Sequence, residues 1–323
     1  MSAPAAKNRK SLKEAEKKKQ LVKQRPVAAE DMSKLSPSLK ALINAPFARP
    51  GQAPAPRHIR DVYRRIAHEA RERKYGERPW VTLSAAATIT LNSPASLLIL
   101  HDLAPSLTTA LTPLTTAELL REIGLKCISF NGIPRTINTL GAFRAGIAHH
   151  PWSSQLCTTP SRELTPSNLP SVSDRARGLW KSIYTPFDEK LVAKLGESHP
   201  DLPVHILASH YGPLLADPPR DDKDGGLATV GRSLTSVVAV ACLRAQTGVG
   251  PQVLSHVFGL RKGVEQGLQK EEFEGLEGES EGVQRLAGDE GCEWLLRSVD
   301  AIAEAVGGGF GRWEGEGEGR AKL

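Results

Sequence analysis

Apolar residues recur every three or four positions along most of the chain, and that spacing predicts helices. In "RHIRDVYRRIAHEARERKYG" Ile59, Val62, Tyr63, Ile66 and Ala70 share one face, arginines take the other, and Gly76 marks the stop. "WVTLSAAATITLNSPASLLILHDLA" predicts two apolar helices, the second restarted by Ser93 as N-cap and Pro94 in the first turn. Its stretch "TLSAAATITL" resembles a strand, but the alanines and the length favour a buried helix. "LTTAELLREIGLKCISF", capped at Thr115 or Thr116, and "IPRTINTLGAFRAGI", opened by Pro134, come next. A polar, proline-studded connection over 149–174 leads to "DRARGLWKSIYTPFDEKLVAKLG", "DLPVHILASHYGPLLA", "VGRSLTSVVAVACLRAQTG" and "GPQVLSHVFGLRKGVEQG", with Pro186 expected to kink or break the first. Residues 269–290, rich in Gly and Glu, predict an exposed loop, and "CEWLLRSVDAIAEAV" a last amphipathic helix. The pattern holds no convincing alternating run, so the predicted fold class is all-α.

Two stretches repeat one pattern. "IPRTINTLGAFRAGI" and "GPQVLSHVFGLRKGV" each open on a proline, Pro134 and Pro251. Each then carries apolar-Arg-x-Gly at the same distance: Phe143, Arg144, Gly146 and Leu260, Arg261, Gly263. Each follows a long apolar helix containing an arginine and a cysteine, Arg121/Cys127 and Arg232/Cys242. The expectation is a helical bundle built from two related halves, about 57–148 and 175–305, within a domain spanning 57–305. Residues 1–56 read as a disordered basic arm with a Pro/Ala-rich linker over 26–56, and 306–323 as a flexible tail.

Charge changes the picture little. The net charge of +6 is concentrated in residues 1–25, where nine Lys/Arg and two Glu give +7 and leave the rest near −1. The arm is either a solvated segment or a contact for RNA, a ribosome or an acidic membrane; without interleaved aromatics it is a poor nucleic-acid platform. No apolar run is long enough to span a bilayer. Cys127, Cys157, Cys242 and Cys292 form no C-x-x-C pair, which predicts free thiols in an intracellular chain and no metal centre.

His256 is the leading candidate for a general acid or base, against a packing role between helices. Arg232 and Arg244 could hold a carboxylate, or pair with other helices. Cys242 sits in "VVAVACLRAQ", where a buried hydrophobe-like thiol competes with a redox role; Cys127 has the same alternatives. His205 and His210 stand five apart, off one helical face and with no third ligand in sight. Tyr211 could line a pocket, His149-His150 reads as a loop, and His101-Asp102 are neighbours that should not face each other. "GGLATVG" and "GGGFGRWEGEGEG" lack the context of a nucleotide loop, so no cofactor is implied.

"GRSLTSVVAVACLRAQTGVGPQVLSHVFGLRKG" resembles the core helix pair of the carboxymuconolactone decarboxylase and alkylhydroperoxidase-D (AhpD-like) family, on Arg232, Gly248 or Gly250, His256, Gly259 and Gly263. "LREIGLKCISFNGIPRTINTLGAFRAG" resembles a divergent copy, and the likeness covers roughly residues 80–268. The peroxidase branch carries C-x-x-C-x-x-x-H. Here its cysteine places hold Val249 and Gln252, and Gly132 and Arg135 in the first half, where Thr139 aligns with His256. The resemblance therefore implies the fold, a helical oligomer and no dithiol peroxidase. Two functions remain open: an enzyme acting on a small organic acid or lactone, with His256 as acid/base and Arg232 or Arg244 near a carboxylate, or a non-catalytic binding or assembly module using the basic arm.

The chain closes on Ala321-Lys322-Leu323, a small-basic-Leu pattern akin to the S-K-L peroxisomal address. It predicts capture by the import receptor and residence in the peroxisomal matrix, with the cytoplasm as the alternative.

Overall fold

A computed structural model describes residues 35–45, 51–108, 110–219 and 228–307. Backbone contacts divide the chain after Gly51. In the first unit the described residues form one short helix, α1 (Pro37–Ile43), whose start is capped by Ser36 Oγ accepting from the Leu39 N–H at 3.2 Å. This helix interrupts the stretch 26–56 expected to be a linker. Most of the basic arm lies outside the described residues.

The described residues of the second unit are helical, with no strand. α2 (Ile59–Glu72) buries Ile59, Val62, Tyr63, Ile66, Ala67 and Ala70, the stripe its spacing predicts. α3 (Glu77–Thr90) is buried on all sides, because its small and apolar residues leave no polar face to turn outward. α4 (Pro94–Leu107) and α5 (Pro113–Lys126) pack on it. Thr112 caps α5 in a reciprocal box with Thr115, in place of the expected Thr115 or Thr116, since Pro113 opens the helix three residues or more earlier. The short α6 (Ile128–Asn131) and α7 (Ile133–Ile147) follow. α8 (Leu169–Tyr184) ends just before the cis Thr185–Pro186 bond. α9 (Asp188–Ser198) and α10 (Asp201–His205) run into a π-helical segment, Ile206–Leu215. α11 (Arg232–Gln246), as buried as α3, lies along α3 at the centre and packs against α12 (Gly250–Glu265). The repeated positions Phe143 on α7 and Leu260 on α12 are both core residues.

The expected loop over 269–290 is instead the structure that caps the two central helices. It forms the end of α13 (Leu268–Glu272), α14 (Glu279–Leu286) and the start of α15 (Asp289–Val306). Glu272 accepts from the Ser233 and Leu234 N–H groups at 2.6 and 3.0 Å, closing the start of α11. Glu279 accepts from the Glu77 and Arg78 N–H groups at 3.0 and 3.2 Å, closing the start of α3. A helix N-terminus leaves donors unsatisfied and attracts negative charge, so a buried carboxylate is a fitting partner. Burial pushes both carboxyls above the usual range, with the backbone donors opposing. Gly282 makes the approach possible: a Cβ there would come within 2.6 Å of the Tyr75 backbone. Of the glycines that made this stretch resemble a loop, Gly282 serves close packing, while Gly275 and Gly278 take positive φ in the turns between the short helices.

Two apolar clusters result. The larger is mostly aliphatic, with Tyr63, Trp80, Phe143 and Trp294 among its aromatics, and surrounds α3 and α11. The smaller joins Ala176, Trp180 and Ile183 of α8 to Tyr211 and Leu215 of the π-helical segment, and Phe130 packs against both.

Candidate functional site

The seam between these clusters holds the candidate chemistry. His256 sits two turns into α12 and is 6% exposed. Its ring meets Phe130 and Tyr184 edge-on, at centroid distances of 6.0 and 6.2 Å. Its Nδ1 is buried without a hydrogen-bond partner. Burial, and then the positive charge of Arg232, lower its pKa to about 4. At neutral pH it is an uncharged imidazole with one nitrogen free, held in an aromatic wall.

Arg232 opens α11 and points across the seam. Its Nε donates to Ser182 Oγ at 2.7 Å, one Nη to Ser236 Oγ at 2.6 Å, and the other to the Gly259 and Ser182 carbonyls at 2.8 and 3.2 Å. All of these partners are neutral. Burial lowers the guanidinium to about 10, opposed by Glu272 and by Tyr211 and Tyr184. Glu272, the carboxylate nearest in effect, commits its oxygens to the backbone of α11. The hydroxyls of Tyr184 and Tyr211 meet at 2.9 Å, and burial raises both phenols. Beside them the π-helical segment changes the meaning of a spacing. Its wider turn brings His205 and His210, five apart, to a ring separation of 5.5 Å. His210 Nδ1 meets Ser129 Oγ at 3.0 Å, and burial lowers its pKa. Among the described residues no group of three metal-ligating side chains occurs.

The other candidates lie elsewhere. Arg244 is on the same helix as Arg232 but about 18 Å along its axis. It makes a bidentate pair with Asp300 of α15, both bonds 2.7 Å, on the surface. It does not join His256. Cys242 lies in the aliphatic core, its sulfur 3.5 Å from that of Cys127, both thiols free and buried. Burial raises the Cys127 thiol well above its usual value, with Cys242 adding to the shift. The tertiary fold thus builds a thiol pair that no spacing announced, 115 residues apart in the chain. His101 does contact its neighbour, Nδ1 to Asp102 Oδ1 at 3.2 Å, and its other nitrogen reaches the Pro113 carbonyl at 3.0 Å. Ala321-Lys322-Leu323, most of "GGGFGRWEGEGEG" and the start of "GGLATVG" lie outside the described residues.

Sequence reasoning missed Lys126, Tyr184, Ser182 and Ser236. Lys126 is fully buried, its Nζ 2.7 Å from Asp217 Oδ1 and bonded to the Leu215 and Val230 carbonyls and Thr235 Oγ1. A signal existed: Lys126 falls on the Leu119–Ile123 stripe of α5, where a lysine is out of place. Ser182 and Ser236 carried none. A cleft of about 590 Å³ opens on the α8 side of Arg232, which lines it; His256 does not. No family model matches this chain, and no curated protein or solved structure matches it either.

Proposed function

We propose that the protein is a helical enzyme of the carboxymuconolactone decarboxylase (AhpD-like) kind, built from two related halves, that moves a proton at a carbon or lactone of a small organic acid. One observation carries this reading: His256 is buried and neutral, with an unpartnered Nδ1, beside a guanidinium that makes no direct ion pair with a carboxylate. Such an imidazole is a weak base while Arg232 repels its proton. An organic anion beside Arg232 offsets that repulsion and strengthens the base as the substrate arrives. The Tyr184–Tyr211 hydroxyl pair, 2.9 Å apart with the Tyr184 ring beside that of His256, supplies a donor for an oxyanion that develops on the substrate. No cofactor enters the scheme. Replacing His256 by Gln is expected to lower kcat about a hundredfold or more on the acid or lactone that is turned over. Unchanged turnover in that variant overturns the assignment. Dithiol-dependent peroxide reduction is not expected, because Val249 and Gln252 stand at the cysteine places and the Cys127–Cys242 thiols are buried. A peroxidase activity lost in Cys242→Ser would replace this reading with a thiol-based one.

The second reading, a non-catalytic binding or assembly module using the basic arm, has support in exposed apolar pairs: Ile133 and Ile137 on α7, Leu254 and Phe258 on α12. Sedimentation of the full chain against Leu254→Asp tests whether they bury in a homo-oligomer. In either reading the terminal Ala321-Lys322-Leu323 directs the chain through the import receptor to the peroxisomal matrix. An amino-terminal fluorescent fusion should form puncta with a peroxisomal marker and become diffuse without those three residues. Puncta that persist would refute the address.

A further inference from the structure

The cleft on the outer side of Arg232 has the makings of a ligand site. Its volume, about 590 Å³, lies in the range usual for small-molecule pockets. α8 supplies one wall. Arg175, Gly178, Leu179 and Ser182 recur at helical spacing and line it together, with Lys181 at the rim. Gly178 leaves that wall open, because a Cβ built there meets nothing within 4 Å. The facing side is apolar, formed by Leu215 at the end of the π-helical segment and Leu268 at the start of α13.

The charges are one-sided. Arg175, Lys181 and Arg232 line the cleft, and Asp217 is the one acid among the described lining residues. Asp217 is already engaged: its Oδ1 lies 2.7 Å from the buried Lys126 ammonium and 3.6 Å from Arg162. Arg175 has a serine for a partner, Ser171 Oγ at 3.2 Å, and its Nε is buried with no partner. Arg232 has only neutral oxygens. Three cations around an apolar-walled cleft, with its one described carboxylate neutralised from behind, suit an anion that carries a hydrocarbon body.

We infer that this cleft binds a medium-length carboxylate, its headgroup among Arg175, Lys181 and Arg232 and its chain against Leu179, Leu215 and Leu268. This deepens the organic-acid reading and rests on it for calling the occupant a substrate; binding itself rests on the cleft alone. An anion in the cleft would meet Arg232, which lines it, and not His256, which does not.

Calorimetry on the full chain with octanoate, octylamine and 1-octanol tests the inference. Octanoate should bind, 1-octanol weakly, and octylamine not measurably. Gly178→Leu fills the open wall and favours the helix, so the fold should be kept. It should weaken octanoate by about tenfold or more, as should the double reversal Arg175→Glu/Lys181→Glu on the surface of α8. Octanoate binding that is absent, or undiminished in both variants, or matched by octylamine, overturns the cleft. The two readings separate in the same samples. No octanoate binding by the parent chain, with its turnover of smaller acids present, sinks the cleft alone. Binding intact in His256→Gln, with turnover unchanged, sinks the acid/base reading alone.

Discussion

Lys126 and Arg232 are both cations taken out of water, and the protein treats them differently. Lys126 has a carboxylate at 2.7 Å and three oxygen partners besides, so its charge and its donors are all answered. Asp217 in turn belongs to a chain of charges that runs through Arg162 to Glu122, which Arg162 grips with both nitrogens. Arg232 has four bonds to neutral oxygens and no ion pair. Its donors are satisfied, but its charge is answered only at a distance, by Glu272. A buried charge costs several kcal/mol to desolvate unless a counter-charge offsets it. The Lys126 region therefore reads as a latch that pins residues 215–217 and 230–235 to α5. The Arg232 region retains a positive field that an incoming anion can relieve. A site of this kind is recognised less by its hydrogen bonds, which both regions have, than by the missing counter-ion.

The largest test breaks the latch. Lys126→Met removes the ammonium and leaves Asp217 and two buried carbonyls without it. Loss of one partner of a buried pair costs about 3–5 kcal/mol. Urea unfolding should show that drop in unfolding free energy; a change under about 1 kcal/mol would mean Asp217 finds water and the latch reading fails.

A second test sharpens the Arg232 side through pH. His256 has a folded pKa of about 4 against an ordinary 6.5, so the native state binds its proton later than the unfolded chain. Its stabilising contribution is complete above 6.5 and is lost as pH falls through that window to about 4. The shift corresponds to about 3 kcal/mol. Glu122, Glu272 and Glu279 act the other way, because burial raises their carboxyls and protonation in mild acid relieves the cost. His256→Phe should therefore leave a chain whose stability no longer falls, or rises, between pH 6.5 and 4.5. In Arg232→Gln, the His256 ring resonances should titrate at higher pH than in the parent, because one of the two causes of the depression is gone. An unmoved titration would show that burial alone sets it.

The smallest expected effect concerns the third guanidinium. Arg244 is about half exposed, and its bidentate partner Asp300 equally so. Surface pairs contribute about 0–1 kcal/mol, so Arg244→Ala should change stability by less than that and leave turnover unaltered. A marked loss of activity would return Arg244 to the site from which the structure separates it.

Much of the scaffold was legible in the chain. The stripe of α2 and the buried α3 follow from residue type and spacing, as does the proline-opened start of α4 and α12. These are local properties, since a run without a polar face must be enclosed. His256 and Arg232 could also be singled out, as an imidazole suited to acid/base work and a guanidinium suited to a carboxylate at positions of the resembled helix pair. The 269–290 segment could not. Glycine and glutamate are loop-forming by composition, and their role as close-contact and helix-capping residues exists only once α3 and α11 arrive beside them.

The sequence by itself determined the helical class and which faces must be buried, because both depend on neighbours within a few turns. The tertiary structure decided the partners. It sent Arg244 to Asp300 and Arg232 to the seam, though both ride one helix. It brought Cys127 to Cys242 and turned the five-residue spacing of His205 and His210 into a contact through a π-helical turn. It gave Lys126 a direct counter-ion and left Arg232 with none in contact. Distances between residues a hundred positions apart are set by how helices stack, and whether a charge is answered depends on those distances.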